Sequence, residues 1–166
     1  GGPGGRGGPG GPGGPNFVGV ERNGMAAATG VNYPTVDADM VFDGEPYPQV
    51  TVRYKGNNTF MSSRGSLKRP LKLDLNRGIA NRRLGGATKL NLHNHVNDPS
   101  WMNEVLSYRL FRDAGVPAPR TAYARLHVTV PGKHDRRYFG LYSLVENVDN
   151  SFARVRFGTK KGAIFK

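Results

Sequence analysis

The stretch that decides the fold is residues 121–145, TAYARLHVTVPGKHDRRYFGLYSLV. Up to residue 130 it carries an apolar side chain at every second position, which is the pattern of a strand with one buried face. Pro131-Gly132 is a turn signal, and Tyr138–Val145 is an apolar segment that can return beside the first one. The stretch therefore predicts a β-hairpin and, with it, an antiparallel sheet.

The same period of two recurs on both sides of this hairpin. Two of the segments are joined by Asp43-Gly44 and two nearby prolines, so we predict a Pro-containing turn between them. The further predicted strands cover residues 38–42, 50–55, 71–75 and 90–92, with the start of another at 163–165.

One helix is predicted, over Ser100–Ala114. Asp98 is a suitable N-cap, Pro99 suits the first helical position, and Gly115 ends the helix. Its predicted apolar face consists of Trp101, Met102, Val105, Leu106 and Leu110. Glu104 lies at the border of that face. The fold class expected from these segments is α+β, a mostly antiparallel sheet with one main packed helix.

The composition limits the possible chemistry. The chain has 24 Lys and Arg against 12 Asp and Glu, a formal charge of +12, and this excess is dispersed over nearly every segment. Such a surface attracts anionic partners in general, and it also serves solubility, so both interpretations stay open. The absence of Cys excludes disulfide scaffolds, Cys-ligated metals and thiol nucleophiles. No apolar run approaches the ~20 residues of a membrane-spanning helix.

The N-terminal residues differ from the rest. Residues 1–15 hold ten glycines and four prolines and have almost no side chains to bury, so we predict a disordered tether. Residues 16–166 have ordinary globular content and are predicted to form one domain.

Two short motifs leave alternatives open. His93-Asn94-His95 could present two imidazoles to a metal ion, or it could be a polar cluster at the end of a strand. The segment 158–162, GTKKG, could contact phosphate or be a solvated turn. The sequence contains neither a GxxxxGK[ST] loop nor a G-x-S-x-G elbow.

Several charged residues stand where the predicted elements do not require them. Arg53 and Lys55 share one side of a strand whose other side is apolar, and Lys72 stands between two leucines. Glu104 borders the apolar helix face, and Glu146 ends an apolar strand. Each position alone is compatible with an ordinary surface residue. Together they predict a cationic sheet face next to a helix carboxylate, which suits a polyphosphate.

An ordered series of blocks in residues 33–166 resembles the spore coat protein H (CotH) kinase family. The blocks are VRYKGN (52–57), LKRPLK (67–72), KLNLHN (89–94), NDPS (97–100), FRDAGVPAPR (111–120), GLYSLVE (140–146) and a closing FK (165–166). Any one of them would be a weak signal, but the order of the whole series is specific.

The resemblance implies an atypical protein kinase that uses ATP and a divalent metal (Mg²⁺, or Ca²⁺ or Mn²⁺) to phosphorylate Ser on extracellular or spore-coat proteins. It implies a fold similar to the N-terminal lobe of a protein kinase and a secreted or surface protein of a bacterium. The expected partners are a nucleotide and a Ser-rich protein, with the chain as a monomer and nucleic acid an unlikely ligand. Some relatives in this family are surface invasins, so a non-catalytic adhesion module with the same fold stays open as an alternative.

The resemblance also assigns roles to residues. Lys72 is similar to the lysine that holds the α- and β-phosphates, and Glu104 to the helix carboxylate that orients it. The cations expected along the phosphate side are Arg53, Lys55 and Lys68. Glu146 would lie near the adenine, and Lys166 would face the nucleotide.

In this family the catalytic and metal-binding aspartates follow the region that these blocks cover. We therefore expect the domain to be incomplete at its C-terminus, with no catalytic or metal-binding residue among the 166. Asp98 and Asp113 belong to the helix ends and do not replace those aspartates. The chain alone is expected to lack kinase activity and to bind nucleotide at most weakly.

Overall fold

The computed structural model describes residues 33–161. Within this range the strands are β1 (Thr35–Phe42), β2 (Glu45–Tyr54), β3 (Leu71–Asp74), β4 (Lys89–His93), β5 (Thr121–Val130) and β6 (His134–Glu146). The helices of the same range are α1 (Asn58–Ser62), α2 (Asn103–Asp113) and α3 (Asn150–Phe157). The predicted tether at 1–15, the predicted strand at 163–165 and Lys166 lie outside the described residues.

The six strands form one curled sheet in the order β1-β2-β3-β4-β6-β5, and every neighbouring pair is antiparallel. The predicted hairpin is confirmed as β5 and β6, and the α+β class is confirmed with it. In the described range no helix combines the length and the apolar character that crossing a membrane requires.

The hydrophobic core lies on one face of this sheet. Because side chains alternate between faces along a strand, the leucines of β3 and β4 all point to the same side. Their cross-strand pairs, Leu71 with Leu92 and Leu73 with Leu90, place these side chains next to one another. The buried cluster consists of Val50, Leu73, Leu75, Ala87, Leu90, Leu92, Tyr142 and Leu144.

The predicted Pro-containing turn between the first two strands is wrong. The turn is Asp43-Gly44 alone, both with left-handed φ (51° and 83°), while Pro46 and Pro48 lie inside β2. β3 pairs with β2 only over Thr51–Tyr54, so at both prolines β2 has β1 as its one neighbour in the sheet. A strand with one open side tolerates a residue without an N–H.

The predicted helix exists but begins later than expected, at Asn103. Pro99 precedes the helix, and Asp98 supports its start from outside: one carboxylate oxygen accepts the N–H of Ser100 and the other accepts the N–H of Asn103. The predicted end is confirmed, because Gly115 follows the helix with φ 79°. The N–H groups of Gly115 and Val116 donate to the carbonyls of Arg112 and Phe111, which is a Schellman cap.

The predicted packing of this helix through its apolar face is wrong. Leu106 is 56% exposed and Leu110 is 69% exposed, and no residue of α2 is buried. The core cluster contains no residue of α2, which lies against the opposite face of the sheet. There it contacts the strands through Glu104, and the adjoining Trp101 carbonyl accepts a hydrogen bond from Tyr123.

Two helices were not predicted. α1 is a single five-residue turn after β2. The sequence does contain residues typical of helix ends on both sides of α3. Asp149 accepts hydrogen bonds from its first N–H groups, and Gly158 follows it in the left-handed conformation. Residues 158–161, part of the predicted basic turn, begin at this C-cap glycine.

The location of the core predicts how two leucines respond to truncation. Leu75→Ala should lower the free energy of unfolding by about 2–5 kcal/mol, because Leu75 is fully buried in the cluster. Leu110→Ala removes the same atoms from an exposed position and should change it by no more than about 0.5 kcal/mol. Urea denaturation followed by circular dichroism measures both. Equal losses of unfolding free energy in the two variants would contradict the location of Leu75 inside the core and of Leu110 outside it.

Candidate functional site

The face of the sheet opposite the core is lined by polar side chains. Arg53 on β2 pairs directly with Lys72 on β3, and Lys72 pairs with Asn91 on β4. His93 lies two residues further along β4 and therefore points to the same side. We call Arg53, Lys72, Asn91 and His93 the polar face.

Lys72 is held at the centre of the polar face by Asn147, which follows β6. The Lys72 ammonium donates to Asn147 Oδ1 at 3.0 Å, and the Asn91 amide donates to the same oxygen at 3.4 Å. The Asn147 amide donates in turn to Asp149, the residue that caps α3. This chain of hydrogen bonds ties the direction of Lys72 to the segment between β6 and α3.

A second lysine is held at one end of the polar face through a histidine. Lys55 Nζ lies 2.6 Å from His93 Nε2, and His93 Nδ1 lies 2.6 Å from Glu104 Oε1 on α2. We call this series of contacts the Lys55–His93–Glu104 relay. It brings the predicted helix carboxylate to the polar face, and the contact that Glu104 makes there is with His93.

A pocket of about 320 Å³ opens beside the relay. The residues that line it include Lys55, His93 and Glu104, and also Asp98, which precedes α2. Hydrogen bonds from the Ser100 hydroxyl and from the backbone N–H groups of Asn103 and Ser100 lower the pKa of Asp98, so the lining of the pocket includes a negative charge.

The two histidines of the His93-Asn94-His95 motif make different contacts. β4 ends at His93, and His95 has a left-handed φ of 58°, so the alternation of a strand does not continue to His95. His95 instead stacks on Trp101, and its pKa is lowered by burial and by the nearby charge of Lys68. Across residues 33–161, no three His, Asp or Glu side chains are grouped so that they could hold a metal ion.

Lys68 and Arg53 differ in their surroundings. The Lys68 ammonium lies 4.5 Å from the centre of the Trp101 ring, and its stem passes over Gly140, where an added Cβ would approach Lys68 Cδ to 2.8 Å. Burial lowers the pKa of Lys68. Arg53 remains on the polar face, where its guanidinium donates to the Tyr54 carbonyl at 3.1 Å.

Glu146 lies on the other side of the sheet from Lys72. It pairs across the strands with Leu90, a core residue, and is 6% exposed. Arg120 donates to both of its carboxylate oxygens, at 3.1 and 2.8 Å, and Arg156 lies 3.8 Å away. These contacts account for its burial as a charged group.

The structure thus brings Arg53, Lys55, Lys72 and Glu104 to one side of the sheet, while Glu146 belongs to a separate cluster of ion pairs. Two residues of the site were not predicted, His93 as a link and Asn147 as the acceptor for Lys72. The alternation of Lys89, Asn91 and His93 on β4 carried the signal for His93, since it places them on the face of Lys72. No local pattern marks Asn147, because its contact joins residues that are far apart in the chain.

The ion pairs of Glu146 predict a dependence of stability on pH. Burial raises the pKa of Glu146, but the hydrogen bonds from Arg120 and the charges of Arg120 and Arg156 outweigh it, so the net pKa lies below its ordinary value. A carboxyl whose pKa is lower in the folded state stabilises the fold above its unfolded-state pKa. That contribution is lost as the pH falls through the folded-state pKa.

Glu146→Gln should therefore lower the free energy of unfolding near pH 7 by about 1–3 kcal/mol, and its difference from the unsubstituted chain should shrink towards about pH 3. Asp113→Asn is the control, because Asp113 and its partner Arg109 are exposed and such pairs contribute little. Urea denaturation across this pH range gives both differences. If the loss of unfolding free energy in Glu146→Gln does not change with pH, the lowered pKa of Glu146 is refuted.

Comparison with known families gives one positive finding. The model of the family described as CotH kinase protein matches residues 52–166, more than two thirds of the chain. Comparison with curated proteins gave no match. The matched region begins in β2 and includes β3, β4, β5, β6 and the whole polar face. The chain therefore belongs to the CotH kinase family.

Proposed function

We propose that this chain is the nucleotide-binding part of a CotH-type protein kinase and that its polar face holds the phosphates of ATP. As the family resemblance implies, the proposed acceptor is Ser on a secreted or spore-coat protein. In this proposal Lys72 contacts the phosphates, with Arg53 and Lys55 on either side of the triphosphate.

The observation that carries the proposal is the direct cross-strand pairing of two cations. Arg53 and Lys72 are opposite one another on the same face, and like charges in that position destabilise a sheet. An anion bound between them would remove this cost. A triphosphate has the charge and the oxygen acceptors to contact both side chains.

The partners of the two lysines support the same interpretation. Lys72 donates to the neutral amide oxygen of Asn147, and Lys55 is in contact with an imidazole. These contacts orient both ammonium groups before a ligand binds, which lowers the entropic cost of binding.

The proposed role is limited to holding the nucleotide. Phosphoryl transfer also requires metal ions on the β- and γ-phosphates and a carboxylate near the attacking hydroxyl. The described residues supply no set of metal ligands, so no step through a metal is assigned to them.

The test is the binding of ATP to the 166-residue chain by isothermal titration calorimetry. Lys72→Ala should raise the Kd for ATP about tenfold or more, because a hydrogen bond to a charged group contributes about 1.5–3 kcal/mol. Lys133→Ala, which removes the same charge from the exposed turn between β5 and β6, should leave the Kd within about twofold.

The two other functions considered give different results in the same experiment. A non-catalytic adhesion module would show no ATP binding even at the highest nucleotide concentration that calorimetry allows, where weak binding is still detected, and that result would overturn the proposal. A general polyanion-binding surface would lose affinity equally in Lys72→Ala and Lys133→Ala and would shift arbitrary DNA in a salt-sensitive manner. Selective loss in Lys72→Ala is expected only for a defined phosphate site.

A further inference from the structure

We propose that His93 is a positioning residue, which directs the Lys55 ammonium and makes that direction depend on Glu104 of α2. The inference rests on the proposed function, because the task assigned to Lys55 is contact with the nucleotide phosphates. It gives His93 a role that neither the sequence pattern nor the family resemblance had assigned to it.

The two contacts of the imidazole indicate its tautomer. An ammonium group has only hydrogen-bond donors, so His93 Nε2, at 2.6 Å from Lys55 Nζ, is the acceptor in the proposed relay. The Nδ1–H group then donates to Glu104 Oε1 at 2.6 Å. We therefore assign the Nδ1–H tautomer to His93 in this arrangement.

The relay joins three separate elements. Lys55 directly follows β2, His93 ends β4 and is fixed by its pairing with Ser143, and Glu104 lies in the first turn of α2. Glu104 selects the tautomer of His93 by accepting from Nδ1, and that tautomer presents a lone pair to Lys55. Loss of the carboxylate, or a shift of α2, removes the preference and with it the lone pair that is presented to Lys55.

The position of the relay argues against a purely structural role. The side chains of His93 and Glu104 are 27% and 26% exposed, and both line the pocket. Both side chains are therefore partly accessible from the pocket, in which a ligand can also reach Lys55. His93 and Glu104 orient Lys55, which lies beside the face that is proposed to bind phosphate.

Two substitutions at His93 separate the hydrogen bonds from the volume of the ring. His93→Gln offers an amide N–H to Glu104 and a carbonyl oxygen to Lys55, and so can reproduce both contacts. His93→Leu fills the space and makes neither contact. The control is His127→Leu, which removes an exposed imidazole from β5, outside the polar face.

The measurement is the Kd for ATP of the 166-residue chain by calorimetry, with urea denaturation of each variant as a check of folding. His93→Leu should raise the Kd about tenfold, while His93→Gln and His127→Leu should stay within about threefold of the unsubstituted chain. The positioning role would be overturned if His93→Leu bound ATP as tightly as the unsubstituted chain, or if His93→Gln lost as much affinity as His93→Leu. Neither result would contradict the proposed function.

Nitrogen-15 chemical shifts of the His93 ring provide a second readout that does not need a nucleotide. At neutral pH we expect a protonated Nδ1 and an unprotonated Nε2, and Glu104→Gln should reduce that preference. An Nε2–H tautomer or an imidazolium would overturn the relay. If the unsubstituted chain binds no ATP at all, the proposed function fails instead, and the ring shifts still decide whether the relay exists.

Discussion

The structure depends on the separation of the two faces of one antiparallel sheet. Burial of Leu73, Leu90 and Leu92 on one side obliges the residues between them to point to the other side, because side chains alternate along a strand. The register then sets Lys72 and Asn91 next to each other. A slip of one residue in either strand would exchange core and polar side chains, so the same hydrophobic burial that holds the sheet together also assembles the site.

Charged side chains have different kinds of partner on the core side and on the polar face of the sheet. Arg120 donates directly to the carboxylate of Glu146, and together they form a neutralised pair at the edge of the core. On the polar face, Lys72 contacts the amide oxygen of Asn147 and Lys55 contacts the imidazole of His93. A buried carboxylate such as that of Glu146 requires a charged partner, because a charge left unpaired away from water destabilises the fold. The contacts on the polar face instead orient two ammonium groups towards the site.

The second helix of the described region shows the limit of amphipathic patterns. Its sequence contains an apolar stripe, yet Leu106 and Leu110 are exposed, and Glu104 is the residue that reaches the sheet. An apolar stripe in the sequence predicts that one side of a helix favours burial, but it does not specify which surface covers that side. The core cluster consists of side chains from the strands and their connections, and α2 contributes no residue to it.

The sequence by itself determined the class of fold, the hairpin of β5 and β6, the end of α2 at Gly115 and the family, because alternation, turn residues and ordered motifs are local properties of the chain. It also placed Arg53 and Lys72 on one polar face. Only the tertiary structure decided which groups meet there. The contacts of Lys72 with Asn147 and of His93 with Glu104 join segments whose separation is set by the register of the sheet and by the docking of a helix. Those distances follow from the packing of the whole sheet, and no short stretch of sequence encodes them.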